Sequence, residues 1–206
     1  MRSPPASTPV QDRRVRRSRA ALMRAAVTLV AERGTAAVPI SDLAEAADVS
    51  RQVVYQQFGD RDTLLLEAAL DLARHELAPH LTDVAQAPAG RARALAVARH
   101  FADHRVFYRA LMTGSCGYAL NRALTDLLIP LNRQVAHLLL GERLDPRTSE
   151  DLATFLTGGA AAVVNTWVVE GADPLDPEEL TDRLMRAMSF VAATVRRPAH
   201  DEEHDR

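Results

Sequence analysis

One segment, residues 39–63, constrains the fold of this chain more than any other. Its sequence is PISDLAEAADVSRQVVYQQFGDRDT, and its apolar spacing predicts two short helices joined by a tight turn at 48–49. Ser50 supplies a good N-cap for the second of these helices. A helix this short is unstable alone and must pack on its neighbours, which it can do through Val54 and Phe58. The segment therefore indicates a small helical domain in which the opposite side of the second helix stays free.

The amino-acid composition favours an all-α protein. Apolar residues make up 47% of the 206 residues and charged residues 25%, which is typical of soluble globular chains. Aromatic residues are only 4%, so the core must consist mainly of alanine, leucine and valine, which suit close-packed helices. No segment shows the sustained alternation that is typical of a strand.

Three features predict a cytoplasmic protein without a membrane partner. No apolar run in the chain reaches the ~18 residues that a membrane span needs. Its N-terminus lacks the apolar region of a secretory signal. Cys116 is its one cysteine, so no disulfide can form within the chain and a reducing compartment is expected.

Apolar periodicity predicts helices through the rest of the chain. The first has an apolar face that includes Leu22, Ala26 and Val30, and Gly34 ends it. A fourth helix follows the opening segment, and the chain is expected to loosen over 79–90. Further helices are predicted at 91–103, 104–113, 118–140, 147–170 and 177–195.

Charge is distributed unevenly along the sequence. Residues 1–62 hold 10 arginines against 7 acidic residues, whereas residues 63–206 hold 15 arginines against 20 acidic residues. A basic N-terminal part on an acidic body is the pattern expected if only the first part meets a polyanion. The basic run at 13–19 suits either entry into a DNA minor groove or a solvated helix start, and both interpretations stay open.

The free face of the second short helix carries side chains suited to DNA. Helical geometry points it away from Val54 and Phe58. Glutamine can pair with adenine N6 and N7, and valine can contact the thymine methyl group, so the predicted base-reading residues are Gln52, Val53 and Gln56. Polar groups around them suit phosphate contacts, and the predicted phosphate-binding residues are Ser50, Arg51, Tyr55, Gln57 and Arg61.

This segment resembles the helix-turn-helix of the TetR family of bacterial transcriptional regulators. The resemblance covers about residues 16–75 and rests on Leu43-Ala44, Ala47, Val49-Ser50, Tyr55, Phe58, Arg61 and Leu64 at the family's spacing. Three positions depart from the family's pattern: Asp48 replaces the usual turn glycine, Pro39 a common capping threonine, and Arg61 a common lysine.

The resemblance implies an all-α fold with two domains. A three-helix helix-turn-helix domain would occupy 12–75, with the motif itself at about 39–58, after a disordered arm at 1–11. A helical effector-binding and dimerisation domain would occupy 76–198, before a disordered tail at 199–206. The implied partners are double-stranded operator DNA, a second copy bound through the last two long helices, and a small-molecule effector. The alternative is a DNA-binding dimer that acts without an effector.

The second half of the chain gives weaker signals. Small residues at 158–162 allow a close approach of helices, and the apolar run at 163–169 requires cover on most sides. Candidate pocket residues combine apolar bulk with polar tips, and they are Phe101, His104, Phe107, Tyr108, Met112, Tyr118, Asn165 and Trp167.

No enzymatic chemistry is predicted. The sequence has no nucleophile elbow, P-loop, dinucleotide fingerprint or metalloprotease helix, so we expect no catalytic residue and no cofactor. His100 and His104 stand four residues apart, and we expect two solvated histidines there, not half of a metal site.

Overall fold

The computed structural model of the protein describes residues 9–81, 89–140 and 145–196. These residues form nine α-helices and no strand, which confirms the predicted all-α fold class. The helices are α1 (Pro9–Arg33), α2 (Ile40–Ala46), α3 (Arg51–Phe58), α4 (Arg61–Leu81), α5 (Ala89–Asp103), α6 (Arg105–Met112), α7 (Gly117–Leu140), α8 (Pro146–Glu170) and α9 (Pro177–Arg196).

Contacts between helices divide the chain into two compact units. Unit 1 contains the residues up to 74 together with 104–120, and unit 2 contains 75–103 together with the residues from 121 onward. Helices α4 and α7 contribute residues to both units. The assignment of DNA binding to 12–75 and of effector binding to 76–198 stays a prediction.

In unit 1, α1 packs against α2 and α6 through the apolar face that its sequence predicts. Leu22, Ala26 and Val30 on this face are completely buried. Gly34 ends the helix in the left-handed conformation, with a φ of +63°, which glycine adopts without steric cost. The apolar spacing and the terminal glycine of the sequence therefore gave the correct face and end of α1.

Two segments differ from the sequence-based expectation. Helix α1 begins at Pro9, so residues 9–11, which were predicted to be disordered, are helical. Helix α4 continues through Pro79 to Leu81, where a looser chain was expected. A proline this close to the end of a helix forfeits a backbone hydrogen bond only in the last turn. Outside the described residues lie 1–8, 82–88, 141–144 and 197–206.

Unit 2 is built around α5, α8 and α9, each of which contacts the other two. Arg91 of α5 donates hydrogen bonds to Glu178 at 2.8 Å and to Asp182 at 2.5 Å, both on α9. Arg133 of α7 donates two hydrogen bonds to Glu150 of α8, at 2.6 and 2.7 Å. Exposed pairs of this kind stabilise a fold by only about 0–1 kcal/mol, so their main effect is to fix which helix faces meet.

His100 is buried in unit 2, and the expectation that it is solvated is wrong. Only 3% of the residue is exposed, and its Nδ1 lies 2.7 Å from Oε2 of Glu76. Its ring meets the ring of Phe101 edge-on, with centroids 5.3 Å apart. A buried imidazole needs such a polar partner, because an unpaired buried polar group costs about 1–3 kcal/mol. The sequence did not reveal the partner, since Glu76 belongs to a different helix.

Helix α8 is long and apolar enough to cross a membrane by length and composition alone. Residues 152–169 contain no charged side chain, so the expectation that no such segment exists is corrected. Threonine, glycine and asparagine residues interrupt the apolar run without adding a charge. The core helix of a globular domain has the same composition, and Ala153, Leu156 and Trp167 are buried. A single helix of this kind is weak evidence for a membrane span.

Candidate nucleic-acid interface

The turn between α2 and α3 has the backbone shape that the sequence predicts. Asp48 adopts the left-handed conformation with a φ of +52°, which aspartate tolerates better than most residues. Its N–H donates to the carbonyl of Glu45 at 3.0 Å, and the N–H of Val49 donates to the carbonyl of Ala44 at 2.9 Å. The tight turn therefore forms without a glycine.

Helix α2 begins without a side-chain cap. Pro39 occupies the N-cap position, and its carbonyl accepts hydrogen bonds from the N–H groups of Asp42 and Leu43 at 3.1 and 3.2 Å. Asp42 in the first turn is favourable beside the helix N-terminus, and it accepts a hydrogen bond from Arg33 at 2.6 Å. The hydrogen bonds from Arg33 and then Ser41 lower the pKa of Asp42 from its ordinary value of 3.8. The start of α2 thus depends on a charged pair instead of a threonine cap.

Helix α3 is anchored along one side. Its N-cap is Ser50, as predicted, and the Ser50 Oγ accepts a hydrogen bond from the N–H of Val53 at 3.4 Å. Val54 and Phe58 are buried, and Gly59 ends the helix with a φ of +79°. Packing of these two side chains holds a helix that is too short to be stable alone.

The opposite side of α3 faces solvent. Gln52 and Gln56 are exposed, and Val53 is half-buried beside them. Arg51 and Tyr55 are also exposed. This face carries amide, guanidinium and phenol groups and no carboxylate, a set that can bond to base edges and to phosphates. The structure therefore presents the predicted base-reading residues together on one accessible surface.

Gln57 points toward α1, and the predicted outward orientation is wrong. Its Nε2 donates to the Oγ of Ser18 at 2.7 Å, and its Oε1 is buried without a hydrogen-bond partner among the described residues. Gln57 follows Val54 by three positions, so helical geometry places both on the same side of α3. A phosphate contact by this side chain would require the bond to Ser18 to break.

Arg19 has a structural role that the sequence did not reveal. Its guanidinium stacks over the ring of Phe58, 4.3 Å from the ring centroid, and its Nη1 donates to the carbonyl of Gln57 at 3.0 Å. It also forms an ion pair with Glu67 of α4. Arg19 therefore ties α1 to α3 and α4. The remaining arginines of the basic run are exposed on helical backbone: Arg13, Arg14, Arg16 and Arg17.

Arg61 opens α4, and its guanidinium is held by the next residue. Its Nε and Nη2 each lie 3.0 Å from Oδ1 of Asp62, whose Oδ2 accepts a hydrogen bond from the Oγ of Ser115 at 2.6 Å. The hydrogen bond from Ser115 is the largest cause that lowers the pKa of Asp62; burial opposes it, and the hydrogen bond from Arg61 adds to it. Sequence reasoning missed Ser115, which stands 53 positions away from Asp62.

A small cavity of about 190 Å³ lies beside Arg61 within unit 1. Its lining comprises the loop after α1, the first residue of α4, one residue of α6 and the α6–α7 turn, namely Gly34, Thr35, Ala36, Ala37, Arg61, Ala110, Thr113, Gly114 and Ser115. None of the candidate pocket residues from the sequence lines this cavity.

The eight candidate pocket residues are divided between the two units. His104, Phe107, Tyr108, Met112 and Tyr118 belong to unit 1, and Phe101, Asn165 and Trp167 belong to unit 2. Tyr108 is completely buried, and its hydroxyl donates to the carbonyl of Ala69 at 3.2 Å, as a core tyrosine does. Tyr118, in contrast, is 81% exposed. Effector binding by these residues stays a prediction.

One family model and several solved structures match this chain. Residues 22–68 match the family described as bacterial regulatory proteins, tetR family. No curated protein matches the chain. The dihydroxyacetone kinase operon activator DhaS is 12% identical with a TM-score of 0.57, and the match covers 86% of this chain and 97% of that chain. A TetR-family regulator from Streptomyces coelicolor A3 is 20% identical with a TM-score of 0.54, covering 92% and 99%. NalD, the secondary repressor of the MexAB-OprM multidrug efflux pump in Pseudomonas aeruginosa, is 23% identical with a TM-score of 0.51, covering 82% and 94%.

The helices α1 to α3, with the exposed polar face of α3, define a helix-turn-helix protein, the class that places such a helix in the major groove of DNA. Residues 22–68 are therefore a DNA-binding domain of the tetR family of bacterial regulatory proteins, and the chain as a whole shares its fold with solved TetR-family regulators.

Proposed function

We propose that this protein is a homodimer that binds an operator in double-stranded DNA and represses transcription until a small-molecule effector releases it. The observation that carries the proposal is the exposed face of α3, where Gln52 and Gln56 stand opposite the buried Val54 and Phe58. The protein would act in the cytoplasm and would be found at the nucleoid when it is bound to DNA.

Base reading is assigned to the middle of the α3 face. Each glutamine amide offers a donor and an acceptor, which match adenine N6 and N7 in the major groove. Val53, half-buried beside them, offers a methyl surface for thymine. These residues would set the preferred base pairs of each half-site.

Phosphate contacts are assigned to the residues around that face. Ser50, Arg51 and Tyr55 are exposed at its border, and Arg61 begins the next helix. Hydroxyl and guanidinium groups in such positions fix the orientation of the protein on the duplex without reading sequence. The side-chain amide of Gln57 is bound to Ser18. Gln57 would therefore contact a phosphate only through its backbone or after its side chain has rearranged.

The exposed face of α8 supports the pairing of two copies. Phe155 is 70% exposed, and Gly158, Gly159 and Ala162 follow it at exposed positions with helical spacing. A Cβ added at either glycine would meet no atom within 4 Å. Small side chains let a second helix approach closely, and a two-fold axis would bring the same patch of both copies together.

Helix α9 carries a second exposed apolar surface in unit 2. Phe190 is mostly exposed, and it shares one side of α9 with Met185 and Ala193. Because α8 and α9 contact each other, both surfaces belong to one helix pair. That pair is the part of the chain to which the family resemblance assigns dimerisation.

Release by an effector is the part of the proposal that rests on the resemblance. Among the structures that share the fold, NalD is described as a repressor and DhaS as an activator. The fold alone therefore does not decide between repression and activation. The alternative is a DNA-binding dimer that acts without an effector.

Selection of bound fragments from random-sequence DNA tests the proposed function. We expect an inverted repeat whose half-site centres are separated by about one helical turn, ~34–36 Å, or a multiple of it. Failure to enrich any sequence would contradict specific DNA binding, and enrichment of an isolated half-site would contradict the dimer.

A reporter promoter that carries the selected sequence then separates repression from activation. We expect the protein to lower transcription from this promoter. Binding of a small-molecule effector would appear as release of the protein from the selected DNA when a compound library is added. Increased transcription would reverse the proposed direction of regulation.

A further inference from the structure

We propose that Ser115 and Asp62 are positioning residues, which hold Arg61 in the orientation in which its guanidinium meets a DNA phosphate. This inference rests on the proposed DNA binding and extends it to a residue, Ser115, that lies far outside the helix-turn-helix sequence. All three residues belong to unit 1.

The three side chains form a continuous hydrogen-bonded series. Ser115 Oγ donates to Oδ2 of Asp62 at 2.6 Å. Arg61 donates from Nε at 3.0 Å to the other carboxylate oxygen, Oδ1, and its Nη2 lies at the same distance from that oxygen. Each oxygen of Asp62 therefore has a separate partner, and rotation of the carboxylate would break both interactions.

This arrangement fixes the plane of the Arg61 guanidinium. A free arginine side chain occupies many rotamers, and binding to a phosphate must select one of them. With Nε and Nη2 directed at Asp62, the plane is set before DNA arrives. The N–H groups that Asp62 does not use remain available for a phosphate.

Ser115 decides whether Asp62 helps or hinders DNA binding. A carboxylate near a phosphate is repulsive, and Asp62 is charged at neutral pH, which lies far above the ordinary pKa of an aspartate. Held by Ser115, the carboxylate keeps Oδ1 directed at Arg61. Released from Ser115, it would be free to turn away from Arg61 and to oppose the phosphate.

The position of Ser115 is itself fixed by tight packing of the α6–α7 turn. A Cβ added at Gly114 would lie 2.9 Å from the carbonyl oxygen of Ala110 and 3.3 Å from the Cβ of Ala36. At Gly117 it would overlap the carbonyl oxygen of Met112. The glycines on both sides of Ser115 therefore permit close backbone contacts, which leave the turn little room to move.

The experiment measures affinity for the selected operator over a range of salt concentrations for the wild type, Ser115→Ala, Arg61→Ala and the double variant. Ser115→Ala should weaken binding about fivefold, the effect of one hydrogen bond, with an unchanged salt slope. Arg61→Ala should lower the salt slope by about one unit, because one phosphate contact is lost. In the Arg61→Ala background, Ser115→Ala should have no further effect.

Two controls accompany these variants. Ser115→Thr keeps the hydroxyl and should keep wild-type affinity. Thr148→Ala removes a matched hydroxyl–carboxylate hydrogen bond, 2.5 Å to Oδ2 of Asp145 at the start of α8, and should leave DNA binding unchanged. A second measurement needs no DNA: the Nε–H signal of Arg61 in nuclear magnetic resonance should exchange with water faster in Ser115→Ala than in the wild type or Ser115→Thr.

These measurements distinguish failure of the proposed DNA binding from failure of the positioning role of Ser115. A wild-type protein that enriches no DNA sequence would defeat the proposed function. If the wild type binds and Arg61→Ala lowers the salt slope, then an unchanged affinity of Ser115→Ala would overturn the positioning role alone. So would an equal loss from Ser115→Ala in both backgrounds, because that loss would be independent of Arg61.

Discussion

Two helix faces of this protein, one on α3 and one on α8, are exposed in the described residues, and their chemistry differs. The α3 face carries Gln52, Tyr55 and Gln56, whereas the α8 face carries Phe155 and Gly159. Exposure to water costs amide and hydroxyl groups little free energy, and both groups can bond to base edges and phosphates. An exposed phenylalanine gains free energy by burial, about 25 cal/mol for each Å² of apolar surface removed from water. The α3 face therefore suits DNA, and the α8 face suits another protein surface.

The two helices also differ in how they are held in place. The inner side of α3 has two buried apolar side chains, Val54 and Phe58, and Arg19 stacks on the ring of Phe58. Helix α8 has buried residues along its whole length, from Ala153 to Val168. A substitution on the inner side of α3 should therefore remove most of its anchorage, whereas α8 has many anchors.

The largest expected effect is that of Phe58→Ala, which removes the larger of the two buried side chains of α3. It should destabilise the protein by about 3–5 kcal/mol, measured by urea unfolding at a protein concentration below that of dimer formation. Phe155→Ala, at an exposed position of α8, should cost less than about 0.5 kcal/mol under the same conditions. Equal losses of unfolding free energy would contradict the assignment of Phe58 to the core and of Phe155 to an exposed face.

Gly159→Glu should separate folding from assembly. The single chain has room for the new side chain, and glutamate favours a helix over glycine by up to about 1 kcal/mol. Between two copies it would place a charge in an apolar seam, which should weaken dimerisation by about 2 kcal/mol or more. Sedimentation at micromolar concentration measures the effect, with Asn121→Glu on α7 as the charge control. A fully dimeric Gly159→Glu variant would exclude this face from the interface.

Gln52→Ala and Gln56→Ala should each cost about 1–3 kcal/mol on the selected operator and relax the preference at particular base pairs. Binding to random DNA should be nearly unchanged, because phosphate contacts dominate it. Gln134→Ala, at an exposed position of α7, serves as the matched control. An equal loss on specific and random DNA would remove these amides from base reading.

The smallest expected effect is a pH dependence at the start of α2. Interaction with Arg33 lowers the pKa of Asp42 below 3.8, so Asp42 stabilises the fold above its ordinary pKa. This contribution should be lost as the pH falls through the lowered value. The urea midpoints of the wild type and Asp42→Asn should therefore differ at pH 7 and converge at the lowest pH at which both still fold. A constant difference across this range would assign the effect to something other than the charge.

Local patterns in the sequence predicted much of the structure of unit 1. The Ser50 cap, the left-handed Asp48 and the buried Val54 and Phe58 each depend on residues only a few positions apart. The bounds of α5 to α9 also followed from apolar spacing, within two residues at each end. Caps, turns and helix faces are local properties, so one sequence is enough to predict them.

What the sequence did not predict depends on contacts between distant segments. Ser115 and Asp62 are 53 positions apart, and His100 and Glu76 are 24 apart. The inward orientation of Gln57 depends on Ser18 of α1, although its spacing from Val54 was a usable signal. Polar partnerships of this kind follow from the tertiary arrangement of helices, which apolar periodicity does not specify.

The exposed face of α8 has a consequence for the cell as well as for the molecule. If operator binding requires two copies joined along this face, the concentration of the active species rises with the square of the monomer concentration while dimers are scarce. Twofold changes in synthesis or dilution at cell division would then change operator occupancy by up to about fourfold. The affinity of the α8 seam would thereby set the number of protein copies per cell at which the regulated promoter begins to respond.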